Sequence, residues 1–341
     1  MSGFKILRRP RCTALLAAAC VILAAASGAP EARAQAELPV LTVGVTPSQV
    51  SLHPAAIFAQ TGFDKKNGWA IKTFPRATPA ALLNDFMTGA YEAINFGGLN
   101  SFAQMYDKGA PIKLIQAVAI YPYPFEVRSD SGINTIKDLK GRKLGVPRAS
   151  YVYSYIYAIM KANGMELEKD TQVQDVAFVQ APLLLERGDF DGTLFLPEHA
   201  IIWDKKAPGK FEMLFDAGRE FAKVIGQPNS YLYMAVRDDW LKQHPGLINN
   251  VMASYKEYGE YVAANPKKVA ETLMKSTTDG GADLSPDVGA ALYEGYKGIK
   301  LTWVSIPVKN IKDAIKKELQ VYVDLKVIDK MPDDGFFLDT P

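Results

Sequence analysis

The sequence contains few of the side chains on which covalent and metal chemistry most often depends. Its 341 residues include two cysteines, Cys12 and Cys20, and three histidines. Both cysteines lie in an N-terminal segment that we expect to be removed, so the remaining chain has no disulfide, no thiolate nucleophile and no cysteine-ligated metal. The motifs G-x-S-x-G and H-E-x-x-H, which mark serine hydrolases and zinc peptidases, do not occur. We therefore predict a protein without metal, cofactor or catalytic residues.

The sequence also lacks an excess of positive charge. It carries 39 Lys and Arg against 37 Asp and Glu, and the first 34 positions hold five of these bases and one of these acids. Without that segment 34 basic and 36 acidic residues remain, a net charge of −2. Surfaces that bind nucleic acids depend on clustered Lys and Arg side chains that neutralise phosphates. We therefore predict no nucleic-acid partner.

The first 34 residues have the three parts of a secretory signal peptide. Basic residues between Lys5 and Arg11 precede an apolar run at 13–28, and an A-x-A cleavage pattern ends at Ala34. We predict cleavage after Ala34, and an exported chain without cysteine indicates the periplasm as its location. Two alternatives remain open. One is a membrane anchor, for which the apolar run is short, and the other is lipidation at Cys20, whose preceding residues lack the usual large aliphatic side chain.

The stretch GINTIKDLKGRKLGVPRAS at 132–150 leads from a turn through a strand to the start of a helix. Asn134 is predicted to cap the turn at 135–140, because its side-chain oxygen can accept an otherwise unpaired amide. The strand predicted at 143–146 ends at Pro147, which cannot donate to a central ladder. A loop that opens a helix is therefore expected directly after this proline.

The helix predicted at 151–163 begins with residues that favour strands, since YVYSYIY is rich in aromatic and β-branched side chains. The helix-forming residues that follow and the stop at Gly164 favour a helix. A helix that follows a strand presents free amides and the positive end of its dipole to one spot, which suits an anion. Ser150 and Tyr151 stand at that spot, and Arg148 beside them is a candidate for a bidentate contact to an anion or for a solvated surface residue.

Two other strands end in candidate ligand contacts. The nearly continuous apolar run VLTVGV is typical of a strand buried on both faces, and Ser48 and Gln49 follow its carboxyl end, where ligands of open α/β sheets bind. The strand predicted at 92–96 is followed by the turn GGLNS, in which Asn100 and Ser101 can cap the next helix. An ordinary loop and a plain helix cap remain the alternative interpretations of these two junctions.

Stiff extended segments predict two crossings between two parts of the fold. The alternating Tyr and Pro residues of YPYPF, which include Tyr123, form the first crossing. The alternating strand SYLYMAV at 230–236 is interpreted as the return. Several aromatic residues are candidates for the cleft between these two parts, and they favour an organic or aromatic ligand over nitrate, although such rings are also ordinary hinge and core residues. They are Tyr121, Tyr123, Tyr151, Trp203 and Tyr231.

Three motifs carry a resemblance to a known family: GINTIKDLKGRKLGVP, then LLLERGDFDGTLFLPEHA at 183–200, then WLKQHPGLINNVMASYKEYGEYVAANPKKVAE at 240–271. They resemble the substrate-binding proteins of nitrate/sulfonate/taurine-type ABC importers from about residue 38 to the C-terminus. The sequence is also similar to the thiamine-pyrimidine synthase-like domain of the same family. That enzyme's cysteine-rich motif is absent here, which argues against the synthase activity.

The resemblance implies an α/β fold of the type II periplasmic binding protein class, in which two lobes with mixed sheets are joined by two crossover strands. Lobe one is expected at 38–122 plus 235–341 and lobe two at 123–234. The family's ligand positions fall here on four pairs of residues: Ser48 and Gln49, Asn100 and Ser101, Ser150 and Tyr151, Pro197 and Glu198. An acid at Glu198 departs from the family pattern and favours a ligand that bears an amine or amide.

The function implied by the resemblance is that of a periplasmic solute receptor. Its expected ligand is a small organic anion such as a sulfonate, a taurine-like molecule or a carboxylate, which the closed protein delivers to an ABC permease at the inner membrane. Closure requires that the ligand bind the two lobes differently in their open and closed arrangements. We expect a monomer. The alternatives are a sensory receptor with the same fold and, with less support from the motifs, an exported hydrolase.

Overall fold

A computed structural model describes residues 37–46, 53–276 and 285–339. The predicted signal peptide with its cleavage site, and the candidate residues Ser48 and Gln49, lie outside these described residues. The described residues from Leu38 onwards form one compact unit. No helix in the described ranges is long and apolar enough to cross a lipid bilayer.

Eleven strands in the described residues form two mixed sheets. In chain order they are β1 (Val40–Val45), β2 (Ala70–Pro75), β3 (Ala93–Gly97), β4 (Ile112–Ile120), β5 (Pro124–Arg128), β6 (Lys143–Gly145), β7 (Gln172–Gln174), β8 (Gly192–Leu194), β9 (Phe211–Asp216), β10 (Leu232–Arg237) and β11 (Thr302–Pro307). The first sheet has the order β11-β4-β10-β3-β1-β2 and the second has the order β7-β6-β8-β5-β9.

Each sheet combines parallel and antiparallel pairs. In the first sheet β1 is parallel to β2 and β3, whereas β10 runs antiparallel to β3 and β4. In the second sheet β6 is parallel to β7 and β8, whereas β5 runs antiparallel to β8 and β9. Leu41, Val43 and Val45 of β1 are fully buried, whereas Val40 at its start is exposed, so the apolar sequence reflects burial over most of the strand. The predicted α/β fold with two mixed sheets is confirmed.

The described helices cover the faces of these sheets. In chain order they are α1 (His53–Thr61), α2 (Phe63–Lys66), α3 (Pro79–Thr88), α4 (Leu99–Asp107), α5 (Val152–Ala162), α6 (Leu167–Asp170), α7 (Ala181–Arg187), α8 (Pro197–Lys206), α9 (Ala217–Val224), α10 (Asp238–Gln243), α11 (Leu247–Ala264), α12 (Pro266–Ser276), α13 (Pro286–Glu294) and α14 (Lys312–Asp324).

The chain passes between the two sheets twice. It leaves the first sheet after β4 and enters the second at β5 through the residues 121–123, and it returns between α9 and β10. The first passage is the predicted Tyr–Pro segment. The predicted return strand at 230–236 is observed as β10, which belongs to the first sheet.

The helix predicted at 151–163 is observed as α5 and ends before Gly164, which has a φ of 77°. Its buried residues Val152, Tyr155, Ile156 and Ile159 are spaced so that they share one face. Packing of that face decides in favour of a helix over the strand preference of the sequence.

The predicted cap of the turn at 135–140 is wrong in its residue. The short 3-10 turn Ile136–Leu139 is capped by Thr135, whose amide donates to the carboxylate of Asp138 at 2.8 Å. Asn134 instead donates from its side chain to the carbonyl of Gly132 at 3.2 Å. Both Asn and Thr are good caps, and the acid three residues after Thr135 completes a capping box with it.

Candidate functional site

A cavity of about 410 Å³ lies where the two sheets face each other. Elements that follow strands of the first sheet contribute Leu82, Leu83 and Ser101, and the loops of the second sheet contribute Ser150, Val176 and Phe178. The passage between the sheets adds Tyr121 and Tyr123. Ligand cavities of this size are typical sites for small molecules, particularly where two parts of a fold meet.

The starts of α4 and α5 meet beside this cavity. The Cα of Gly98 approaches the ring of Tyr151 so closely that a Cβ on Gly98 would lie 2.4 Å from Cγ of that ring. One turn further along each helix, Nδ2 of Asn100 donates to Oγ of Ser154 at 2.9 Å in a buried contact. The positive ends of two helix dipoles therefore lie next to each other, one from each sheet.

Several amides at these helix starts are already used within the protein. The Ser150 amide donates to the carbonyl of Pro147 at 3.0 Å, and the Arg148 amide donates to Oδ1 of Asp175 at 2.8 Å. In the first turn of α5 the amides of Val152, Tyr153 and Ser154 are bonded to Ser150 or Tyr151. Within the described part of the chain, no protein acceptor is found for the amides of Ala149 and Tyr151, in the loop before α5, or of Ser101, in the first turn of α4. The free donors thus lie on either side of Ser150, and the structure does not support its own amide as the anion contact.

The three tyrosines at the inner end of the cavity are in contact with one another. The hydroxyls of Tyr123 and Tyr151 share a hydrogen bond, and the rings of Tyr121 and Tyr123 are 4.7 Å apart between centroids. Burial raises the pKa of Tyr123 well above its ordinary value, with smaller contributions from Tyr151 and Tyr121. The hydroxyl of Tyr123 therefore remains protonated. The Tyr123–Tyr151 pair uses one of its two protons in the shared hydrogen bond, so one proton of the pair can be donated to a ligand.

Pro197 and Glu198 lie in the first turn of α8 and are buried. The hydroxyl of Tyr121 donates a hydrogen bond of 3.3 Å to Oε2 of Glu198. Burial raises the pKa of Glu198 to about 7. Within the described part of the chain, neither Pro197 nor Glu198 lines the cavity. Glu198 bonds to Tyr121, which does line it.

Arg148 is oriented away from the cavity between the sheets. Its guanidinium makes two hydrogen bonds to the carboxylate of Glu168, at 2.5 and 2.8 Å, and a third to the carbonyl of Val173. It lines an outer cavity together with Lys326. The bidentate contact that the sequence suggested for a ligand is made to Glu168 instead.

The candidate residues of the first sheet are placed differently from one another. Ser101 lines the cavity, whereas the side chain of Asn100 is directed at Ser154. Leu82, Leu83, Phe178 and Val179 also line the cavity and were not among the residues predicted from the sequence. An apolar side chain is expected to be buried, but its position in the sequence does not show which buried surface it contacts, and nothing in the local sequence distinguishes Phe178.

No group of three His, Asp or Glu side chains in the described ranges is placed to hold a metal ion. The geometry instead offers apolar walls, tyrosine hydroxyls and free helix-start amides. This combination can bind a molecule with an apolar body and a polar or anionic group.

The family model described as NMT1/THI5 like matches residues 57–269, which is more than half of the chain. The chain belongs to the NMT1/THI5-like family. A comparison with curated protein sequences finds no match. The resemblance inferred from the three sequence motifs is confirmed.

Solved structures show the same fold for this NMT1/THI5-like chain. The periplasmic aliphatic sulphonate-binding protein SsuA from Escherichia coli matches with a TM-score of 0.67 at 14% identity, covering 86% of this chain and 95% of that chain. The alkanesulfonate-binding protein SsuA from Xanthomonas axonopodis pv. citri, bound to MOPS, matches with a TM-score of 0.66 at 14% identity, covering 86% of this chain and 96% of that chain. The periplasmic nitrate-binding protein NrtA from Synechocystis PCC 6803 matches with a TM-score of 0.66 at 12% identity, covering 86% of this chain and 83% of that chain.

Proposed function

We propose that this protein is a periplasmic receptor that binds a small organic anion between two lobes and delivers it to an ABC permease at the inner membrane. The observation that carries this proposal is the cavity that residues from both sheets line, with the starts of α4 and α5 in contact at its side. The names of the similar structures, which are sulfonate- and nitrate-binding periplasmic proteins, support the same class of function. A receptor of this kind needs no catalytic group and no cofactor.

The proposed anion site is the pair of helix starts rather than a cationic side chain. The donors are the free amides of Ser101, in the first turn of α4, and of Ala149 and Tyr151, in the loop that leads into α5, and one hydroxyl of the Tyr123–Tyr151 pair is a further donor. Amides at a helix start carry partial positive charge and bind sulfonates or carboxylates without Lys or Arg. Ser48 and Gln49 remain predicted contacts from the loop after β1.

Ligand binding is proposed to close the lobes at 38–122 plus 235–341 and at 123–234. A ligand in this cavity contacts residues of both, so it binds the closed arrangement more tightly and shifts the equilibrium towards it. The permease then distinguishes the closed form from the open one. The protein is proposed to act as a monomer after removal of residues 1–34.

A thermal-shift screen tests the ligand class. The purified protein is heated with sulfonates, taurine, nitrate, aromatic carboxylates and pyrimidines, and a ligand that binds the folded state raises the midpoint. A shift with at least one organic anion is expected. If no anion shifts the midpoint, the proposed anion site at the helix starts is wrong.

Uptake of a labelled ligand from that screen tests delivery to a permease. A strain that lacks the gene is expected to lose high-affinity uptake, and the plasmid-borne gene should restore it. Unchanged uptake in the deletion strain would contradict delivery and would favour the sensory receptor as the function of the same fold.

A further inference from the structure

The walls of the cavity between the sheets are unusually rich in rings. We call Phe96, Tyr121, Tyr123 and Phe178, which all line it, the aromatic wall. The rings of Tyr123 and Phe178 are nearly parallel, with 27° between their planes and 6.0 Å between centroids. The rings of Phe96 and Tyr121 meet edge to face at 5.4 Å. Leu82 and Leu83 add aliphatic surface from α3.

The same cavity has little charge with which to hold a compact ion. Asp175 is the single charged side chain among the described residues that line it, and its Oδ1 already accepts the Arg148 amide. An ionised group buried without a partner is strongly disfavoured. The helix starts therefore provide the one favourable position for an anionic group, and the rest of the space requires an uncharged molecule.

The volume also exceeds what a compact anion fills. The cavity measures about 410 Å³, whereas an apolar cavity of about 150 Å³ is enough to hold a benzene molecule. Nitrate or taurine would fill only part of this space and would leave the exposed part of the aromatic wall, which is chiefly the half-buried Phe178, in contact with water, so the hydrophobic gain from covering it would be lost. A body of one or two rings covers the wall and still leaves room for a polar substituent.

We propose that this cavity selects an organic molecule with an aromatic body and a single polar or anionic substituent, in preference to nitrate, taurine and short alkanesulfonates. The proposal rests on the proposed receptor function and narrows its ligand class. Aromatic rings stack against the aromatic wall in offset or edge-to-face geometry, and the substituent lies at the starts of α4 and α5.

Two ligands that share the sulfonate group, one with a ring and one without, separate the contribution of the aromatic body to binding from that of the anionic group. Calorimetric titration of the full exported protein with benzenesulfonate and methanesulfonate is expected to give a dissociation constant at least ~10-fold lower for benzenesulfonate, because it buries a ring. Nitrate and taurine are titrated alongside them. If any of the three small anions binds as tightly as benzenesulfonate, this inference is overturned and the receptor function stands. Binding of none of the four would overturn this inference, and the receptor function would be overturned with it if the thermal-shift screen also gave no ligand.

The same substitution at two phenylalanines, one inside the cavity and one outside it, tests whether the aromatic wall causes the difference in affinity. Phe178→Leu, in the aromatic wall, is expected to weaken the binding of benzenesulfonate about fivefold and to leave the affinity for methanesulfonate unchanged. Phe211→Leu is the control, since Phe211 is half-buried on β9 and does not line the cavity. Equal losses for both ligands in Phe178→Leu would show a merely structural role and would contradict the proposal.

A second variant covers the case in which Phe178→Leu does not fold. Tyr123→Phe keeps the ring and removes only the hydroxyl that is shared with Tyr151. The ratio of benzenesulfonate to methanesulfonate affinity is therefore expected to stay within about twofold of the wild-type ratio. A collapse of that ratio in Tyr123→Phe would mean that the hydroxyl, and not the ring, selects the ligand, which would overturn the inference.

Discussion

Asn100 and Ser154 are joined by a buried hydrogen bond of 2.9 Å that connects α4, which follows a strand of the first sheet, to α5, which follows a strand of the second. The bond lies directly beside the contact between Gly98 and Tyr151. It holds together the two helix starts at which we propose that the anion binds.

Removal of this bond should reduce stability. Ser154→Ala leaves the Nδ2 donor of Asn100 buried without its acceptor, and we expect the free energy of unfolding to fall by about 1–3 kcal/mol. Urea denaturation measures the change. Thr272→Ala is the control, since its hydroxyl bonds at an exposed position on α12, and it should change stability by no more than about 0.5 kcal/mol. Equal stability of Ser154→Ala and the wild type would contradict the role of the bond.

A methyl group at Gly98 should separate the two helix starts. Gly98 has an ordinary φ of −77°, so Gly98→Ala introduces no backbone strain, but its Cβ would overlap the Tyr151 ring. Overpacking of this size costs about 1–3 kcal/mol, and we expect the affinity for an organic anion to fall about tenfold. Calorimetry measures it. At Gly259 the nearest atom is 3.6 Å from a built Cβ, so Gly259→Ala should bind normally, and normal binding by Gly98→Ala would refute the prediction.

Glu318 should make stability depend on pH. Its carboxyl is 2% exposed on α14 and accepts hydrogen bonds from Tyr322 at 2.9 Å and Tyr233 at 3.4 Å. Burial raises its pKa from 4.5 to about 7. Between these values the folded protein keeps the proton on Glu318 that the unfolded chain has released. The stability that Glu318 contributes is therefore complete below pH 4.5 and is lost as the pH rises through 7.

Glu318→Gln should therefore flatten the pH profile of the free energy of unfolding. We expect the decrease between pH 4.5 and 8 to shrink by about 3 kcal/mol relative to wild type. The slope should not vanish, because burial also raises the pKa of Glu198 to about 7 and of Glu126 to about 8. Glu260→Gln, at an exposed carboxyl on α11, is the control. An unchanged profile in Glu318→Gln would contradict this assignment.

Arg148 should be dispensable for ligand binding. Its guanidinium is bound to Glu168 and lines the outer cavity, so we expect Arg148→Met to alter the dissociation constant of an organic anion by less than about twofold. An exposed ion pair contributes about 0–1 kcal/mol, so stability should change little. A loss of affinity of about tenfold or more would restore the direct anion contact that the sequence suggested.

The elements of the site could be predicted from local sequence, whereas several of its contacts could not. Strand–helix junctions before α4 and α5 follow from glycine and proline positions together with apolar periodicity, and these junctions are observed. The pairing of Arg148 with Glu168 joins residues that are 20 positions apart. Such pairings depend on how helices pack, which spacing alone does not reveal.

The lining residues show the same distinction. Tyr151 and Tyr123 were identified because their segments are conspicuous in the sequence, and both line the cavity. Phe178 lies in an irregular segment between β7 and α7. Its position against Tyr123 is a tertiary contact between distant segments, and local propensity carries no information about it.

A crystal structure with the tightest-binding anion from the screen would show where the ligand binds. We expect ligand density between the two sheets, with the body of the ligand against Tyr123 and Phe178 and its polar group at the starts of α4 and α5. Density in another cavity, such as the one lined by Tyr106 and Asp238, with the space between the sheets unchanged, would contradict the account.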